Sequence, residues 1–338
     1  MSLRHKIAFM PVFLKKIMLV LFTYVFILEY LIILLYFKET IHFWYHFYDL
    51  NFNNSRFTLR FNYKNNNIKS ICWIFNEKSI YQVLISFCSI IKSNSGVNFN
   101  YYFIIPPNSS INVSIFEHFL PYGSKIIIRR YKPIHAFMSV YPRLYERRTC
   151  KWPPIVLVKF WLYEILPEVE KVLYLDTDIV NAAPISPLWK TSLKGRTLGG
   201  TKRLHLKIEW INSGVIFYNL ANLALRSRNL WNCADKWECF IDDYWHTKCH
   251  NKIRITIPYR YNVEFQAMKI VNKSSYQINE EKNAVFYHLK DLSKEFYTII
   301  NRSKIKKMKI VKGSKEIYDI LHELYYIREW VDSEIKMG

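Results

Sequence analysis

The sequence predicts an α/β protein: a Rossmann-like, doubly wound and mostly parallel mixed sheet with flanking helices, set behind an N-terminal transmembrane helix. Three observations predict it. From Ser70 onward, short apolar runs alternate with segments of helical period. One run, Val172 to Leu175, is bounded by charge and Pro and ends in Asp176-Thr177-Asp178, as a fully buried parallel strand does. Ile17 to Phe37 is almost unbroken in its apolarity and, at about 30 Å as a helix, matches the hydrocarbon thickness of a bilayer.

Taken in order, the chain begins with a basic tail. Arg4, Lys6, Lys15 and Lys16 precede the apolar stretch, whereas Lys38 beyond it is offset by Glu39, so the positive-inside rule puts the N-terminus in the cytosol and the body in a lumen. Glu29 is a polar blemish in the span. A cleaved signal peptide fits less well, because the run exceeds an ordinary h-region and no small-residue cleavage site follows it. Residues 38–69, rich in Asn and aromatics without a period, suit a stem.

Ser70 to Phe75 reads as the first buried strand. Ser79 to Lys92 follows as a helix, with Ile80, Val83, Leu84, Phe87, Cys88 and Ile91 at helical spacing, and Tyr101 to Ile105 is a second strand closed by Pro106 and Pro107. A helical segment near Ile115 to Leu120, a strand at Lys125 to Ile128 and a helix from Pro154 to Leu166, stopped by Pro167, lead into Val172. In that last helix Val156, Phe160, Tyr163 and Leu166 take the inner side.

The 338 residues are 51% hydrophobic, enough for one large domain or two small ones. A net charge of +21 favours anionic partners such as phospholipid headgroups, a nucleotide diphosphate or nucleic acid. Basic residues are densest at Lys304, Lys306, Lys307 and Lys309, but no zinc-finger, RNA-recognition or zipper signature accompanies them, so no nucleic-acid partner is expected. Neither a Walker loop nor G-x-G-x-x-G is present, which disfavours nucleotide hydrolysis and dinucleotide redox chemistry.

Six cysteines, Cys72, Cys88, Cys150, Cys233, Cys239 and Cys249, permit up to three disulfides in a lumenal chain. Cys233, Cys239 and Cys249 near His246 and His250 also admit a zinc site, although no C-x-x-C pair supports one. Asn53, Asn108, Asn112, Asn272 and Asn301 head glycosylation acceptor patterns, usable if the body is lumenal.

On a strand, Asp176 and Asp178 emerge on one side and Thr177 on the other. Two carboxylates so close repel each other unless a cation lies between them, and the carboxyl end of a parallel strand is where open α/β sheets place ligands. A divalent metal holding an anionic substrate is one reading; a solvated strand-end turn is the other.

Three segments resemble, in order, the glycogenin-like retaining glycosyltransferases of family 8, whose nucleotide-sugar-binding domain has the A-type fold. They are Val172 to Val180 with Pro184, Leu188 and Trp189 after it; Asn212-Ser213-Gly214-Val215 running on to Asn219 and Leu220; and His288 to Phe296 with Lys294. The resemblance implies that Asp176, Asp178 and His288 bind Mn²⁺ and that Lys294 touches the diphosphate of a UDP-sugar donor. It places Thr177, Lys159 and Asn212 in the donor site, Asn212 beside the reacting centre. Read as residues alone, Lys159 also suits a solvated helix face, Asn212 a β-turn, and His288 the end of an ordinary strand.

Departures from the family pattern are specific. Asp291 stands for the usual Gly and Glu295 for the usual Pro, and the family's Asp-Gln pair has no clean match, leaving Asp242 and Asp243 as candidate catalytic carboxylates. Asn262, in Pro258 to Asn262, resembles a further family segment. The type II topology looks most like the glucoside xylosyltransferases, which extend O-linked glucose on EGF-like repeats. The expected organisation is therefore a cytosolic tail (1–16), an anchor (17–37), a stem (38–69), a lumenal catalytic domain (70–300) and a basic helical extension (301–338). The expected activity is Mn²⁺-dependent transfer from UDP-xylose, UDP-glucose or UDP-galactose to a glycan or glycoprotein hydroxyl, in the Golgi or endoplasmic reticulum membrane. A non-catalytic family member that acts as a binding protein is the remaining expectation.

Overall fold

A computed structural model describes residues 69–131, 154–204, 210–234, 243, 245–264 and 273–289. The expected tail, anchor and C-terminal extension lie outside them, as do the expected stem up to residue 68 and Asp242, Asp291, Lys294 and Glu295. Among the described residues no helix is long and apolar enough to cross a membrane.

The chain alternates as expected through its first half: β1 (Lys69–Ile74), α1 (Ile80–Ser93), β2 (Phe99–Ile105), α2 (Ser114–Glu117) and β3 (Lys125–Arg130). The stretch before Pro167 is a 3-10 helix over Pro154–Trp161 that becomes helical as α3 (Leu162–Ile165), in place of one continuous α-helix. Phe160, Tyr163 and Leu166 are buried there as their spacing predicts. The remaining elements are β4 (Lys171–Leu175), β5 (Ile179–Asn181), α4 (Ser186–Trp189), β6 (Leu198–Lys202), β7 (Ile211–Asn219), α5 (Leu220–Ala234), β8 (Arg254–Thr256), β9 (Val263–Glu264), α6 (Ser275–Lys282) and β10 (Phe286–His288).

Seven strands form one sheet in the order β3-β2-β1-β4-β7-β6-β8. β1 pairs in parallel with both β2 and β4, so the chain winds outward to β3 and then returns to the other side of β1. The carboxyl ends of β1 and β4 thus flank a topological switch point, and Asp176 follows β4 directly. On its other edge β4 pairs with β7, which runs antiparallel, so the expected parallel strand is parallel on one side only. The second sheet, β5-β10-β9, is small and serves to carry His288.

The core lies between the sheet and α1. Trp73, Phe75, Phe87, Phe103 and Phe116 pack edge-on or tilted, with Phe103 centred 4.6 Å from Phe116 and 5.5 Å from Phe75. The Trp73 indole N–H donates to Ser86 Oγ at 3.0 Å, which explains a serine on the buried side of α1.

Cys233 and Cys249 form a disulfide, which removes both thiolates from the zinc reading. Cys72 and Cys88 are free and buried, so a three-bridge framework is excluded; Cys150 and Cys239 lie outside the described residues. Burial pushes the Cys88 thiol up to about 12 and the Cys72 thiol well above its ordinary value, leaving neither as a thiolate. A maleimide at mildly alkaline pH should therefore spare the Cys72 and Cys88 peptides in the native protein and label both in denaturant. Peptide mapping reads the outcome, and native labelling of either would contradict this packing.

Candidate metal and donor site

Main-chain hydrogen bonds with β7, with β5 and with the residue after β10 fix the Asp176-Thr177-Asp178 turn. Asp176 N–H donates to Gly214 O of β7 at 2.8 Å, Ile179 N–H to Asp176 O at 3.3 Å, and Leu289 N–H to Asp178 O at 3.0 Å. The two acids lie beyond the end of β4, so this turn, rather than strand alternation, brings them together. His288 arrives by a longer route. β10 pairs antiparallel with β5, placing His288 opposite Ile179, and parallel with β9, placing it opposite Glu264. Asn181 anchors β5 by bonding Val285 O, while its main chain is held by Ser89 and Ser93 of α1.

Asp176, Asp178 and His288 consequently offer ligand atoms that all lie within 4.8 Å of one another. His288 is buried, its Nε2 is 3.4 Å from Asp178 Oδ1, and its Nδ1 has no hydrogen-bond partner among the described residues. Burial opposes a charge on this imidazole, but Asp178, followed by Asp176 and Glu264, outweighs burial and raises its pKa. A proton on His288 therefore competes with any cation bound there. Two carboxylates and one imidazole suit Mn²⁺, which combines a taste for hard oxygen with affinity for nitrogen.

Around this triad the surroundings are built, which sets aside the solvated-turn reading. Tyr174 donates its hydroxyl to Asp176 Oδ1 at 2.5 Å; burial first, then Asp176, drives its pKa well above the ordinary value, so it stays a donor. Lys159 is only 1% exposed, with Nζ 3.6 Å from the same oxygen and 4.9 Å above the Tyr174 ring. It does not lie on a solvated helix face. Thr177 turns toward α1, where its hydroxyl meets Gln82 Oε1 at 3.3 Å, beside a crevice lined also by Ile85, Asp178 and Leu289.

Asn212 sits within β7, opposite Thr201 of β6, and is buried; the β-turn alternative is excluded. Its Oδ1 accepts from Gly214 N–H at 2.9 Å while Nδ2 has no partner among the described residues. Asn262 is likewise buried, with both polar atoms unpartnered among the described residues. A buried orphan of this kind costs about 1–3 kcal/mol unless something occupies it, so these groups are ready for a polar ligand or ordered water.

Asp243 is buried, accepts from Ser213 N–H at 3.2 Å and pairs with Arg203 Nη2 at 2.8 Å. Sequence reading missed Arg203, and nothing local in the chain marks it. His246 and His250 belong to a buried cluster, facing Tyr218 Oη and Thr197 Oγ1 respectively.

Gly214 is where the backbone of β7 meets the imidazole. A Cβ there would stand 2.4 Å from His288 Cε1 and 2.7 Å from Nδ1. Since the ring is buried and held by two strands, Gly214→Ala must displace it, at an overpacking cost of about 1–3 kcal/mol. The expected result is an about 10- to 100-fold weaker Mn²⁺ affinity, measured by electron paramagnetic resonance, with no ligand residue altered. Unchanged affinity would dissociate His288 from metal binding.

The comparisons bear on the fold and the family. The model of Glycosyl transferase family 8 matches residues 47–290. Among solved structures, an active-site mutant of LgtC is similar at a TM-score of 0.58 and 16% identity, over 75% of this chain and 94% of that one. The galactosyltransferase LgtC in complex with donor and acceptor sugar analogs gives 0.53 and 15%, over 76% and 95%. The apo form of the glycosyltransferase GlyE of Streptococcus pneumoniae TIGR4 gives 0.52 and 13%, over 80% and 64%. At such identities the structural likenesses establish the fold, and the motif-bearing stretch from the first strand to His288 falls wholly inside the family match: the chain belongs to glycosyltransferase family 8.

Proposed function

We propose that this chain is a retaining, Mn²⁺-dependent glycosyltransferase that moves a sugar, foremost xylose, from a UDP-sugar to a glycan or glycoprotein hydroxyl such as O-linked glucose on EGF-like repeats. The observation that carries the reading is the convergence of Asp176, Asp178 and a buried His288 whose Nε2 lies 3.4 Å from Asp178 Oδ1. Bound between them, a divalent cation supplies Lewis-acid neutralisation of a diphosphate leaving group.

The chain's own residues do the rest. Asp176 is held for this role by Tyr174 and Lys159, and Lys294, outside the described residues, adds charge to the diphosphate. Asn212 Nδ2 donates to a hydroxyl of the donor sugar near C1. Asp243, already engaged by Ser213 and Arg203, acts as an oriented hydrogen-bond acceptor in place of a free base. The bond from C1 to the phosphate oxygen breaks and the bond from C1 to the acceptor oxygen forms on the same face. The acceptor's proton passes to the departing phosphate oxygen.

The apolar stretch at 17–37 and the Cys233–Cys249 disulfide support a lumenal catalytic domain on a type II anchor, in the Golgi or endoplasmic reticulum. Thermal stabilisation and hydrolysis of UDP-xylose, UDP-glucose and UDP-galactose, each with and without Mn²⁺, test the reading. Mn²⁺-dependent hydrolysis led by UDP-xylose is expected. Turnover of another sugar replaces the donor, and binding without turnover favours a non-catalytic role, which Asp291 and Glu295 would then explain.

A further inference from the structure

We propose that Arg203 is a positioning residue that ties the two walls of the donor site together and so sets the efficiency of sugar transfer. The proposal rests on the reading of the site as a sugar-nucleotide site, and its observations are these. Arg203 is only 10% exposed in its side chain, and its guanidinium is shared between two carboxylates that are each 4% exposed: Asp243 at 2.8 Å and Glu264 at 3.7 Å. One buried cation serving two buried acids is a poor device for stability, because desolvation consumes most of the Coulombic gain. Its use is better sought in what the two acids hold.

Each acid ends beside a different part of the site. Asp243 accepts the N–H of Ser213, the residue after Asn212. Glu264 lies opposite His288 in the β9–β10 register and uses its own N–H on the Tyr259 hydroxyl. Arg203 itself follows β6, where its N–H bonds Trp210 O and closes the β6–β7 pair just before Asn212. The guanidinium therefore links the large sheet, which presents Asn212, to the small sheet, which presents His288. Gly214 shows how close those two residues come, since a Cβ there would stand 3.2 Å from Asn212 Oδ1 and 2.7 Å from His288 Nδ1. Arg203 Nε is also buried without a hydrogen-bond partner among the described residues. The planar fork matters here: a lysine keeps the charge but reaches one carboxylate at a time.

The test uses the full chain and the UDP-sugar that the wild type hydrolyses fastest among UDP-xylose, UDP-glucose and UDP-galactose. Arg203→Lys and Arg203→Met are each expected to lower kcat by about 10- to 100-fold, the methionine more, as loss of an outer-shell partner does. Affinity for UDP with Mn²⁺ is expected to fall less than kcat by calorimetry, because Arg203 reaches His288 only through Glu264 and the β9–β10 pairing. If the residue acts through Asp243, Arg203→Met/Asp243→Asn should be no slower than Asp243→Asn alone. Should the methionine variant fail to fold, the lysine variant decides. Wild-type kcat in either folded variant, or a parallel loss of UDP affinity and kcat, overturns the assignment. A wild-type chain that turns over no UDP-sugar overturns the functional reading as well, whereas active wild type with unaffected variants removes only Arg203.

Discussion

Asp178→Asn should abolish Mn²⁺-dependent turnover while the protein still folds. The substitution keeps the size and one oxygen of the side chain, and it leaves untouched the Asp178 carbonyl that receives Leu289 N–H and so pins the turn. What disappears is one of two negative charges facing His288 in a cluster whose ligand atoms lie within 4.8 Å. A metal placed to neutralise a leaving group is worth several kcal/mol in the transition state, so the expected loss in kcat is on the order of 10²- to 10³-fold. Mn²⁺ titration followed by electron paramagnetic resonance should show the site emptied, with the melting temperature close to wild type. Normal turnover of a donor sugar by the folded variant would end the metal assignment.

Phe103→Ala should be the most destabilising of the aromatic truncations, at about 3–5 kcal/mol. Phe103 is fully buried on β2 and touches Trp73 and Phe75 of β1 and its flank, Phe87 of α1 and Phe116 of α2. Removing it opens a cavity where four rings meet, and rings this closely packed cannot all relax into the void. Chemical denaturation of the described domain would report the loss. A cost under about 1 kcal/mol would mean that the cluster collapses around the gap and that the core is more plastic than this packing implies.

The alternation of β1, α1, β2 and β3 was legible because apolar period and proline placement are local properties, and the structure reproduces it within a few residues. The Asp176-Thr177-Asp178 turn was legible as a possible metal site for the same reason: close carboxylates at a strand end are a local oddity. His288 was suggested only by resemblance, since its partners are 110 or more residues away. Asn212 resembled a turn former because Asn-Ser-Gly is one in isolation, but β7 is nine consecutive buried residues and pairs with β6 on both sides of this stretch, which overrides that preference. Lys159 illustrates the limit in reverse: no periodicity can announce that a lysine will be buried on a tyrosine ring beside an aspartate.

By itself the sequence determined the α/β class, the order of the first elements, the acidic turn and its family, because these depend on neighbours along the chain and on short motifs. Only the tertiary structure decided that β4 lies between a parallel and an antiparallel neighbour, that Cys233 pairs with Cys249, and that Cys72 and Cys88 stay reduced. It also decided that a second small sheet delivers His288, and that Arg203 bridges Asp243 to Glu264. Those features are pairings between distant segments, and their energy comes from burial and from satisfying buried charges and hydrogen bonds, which exist only once the chain has packed.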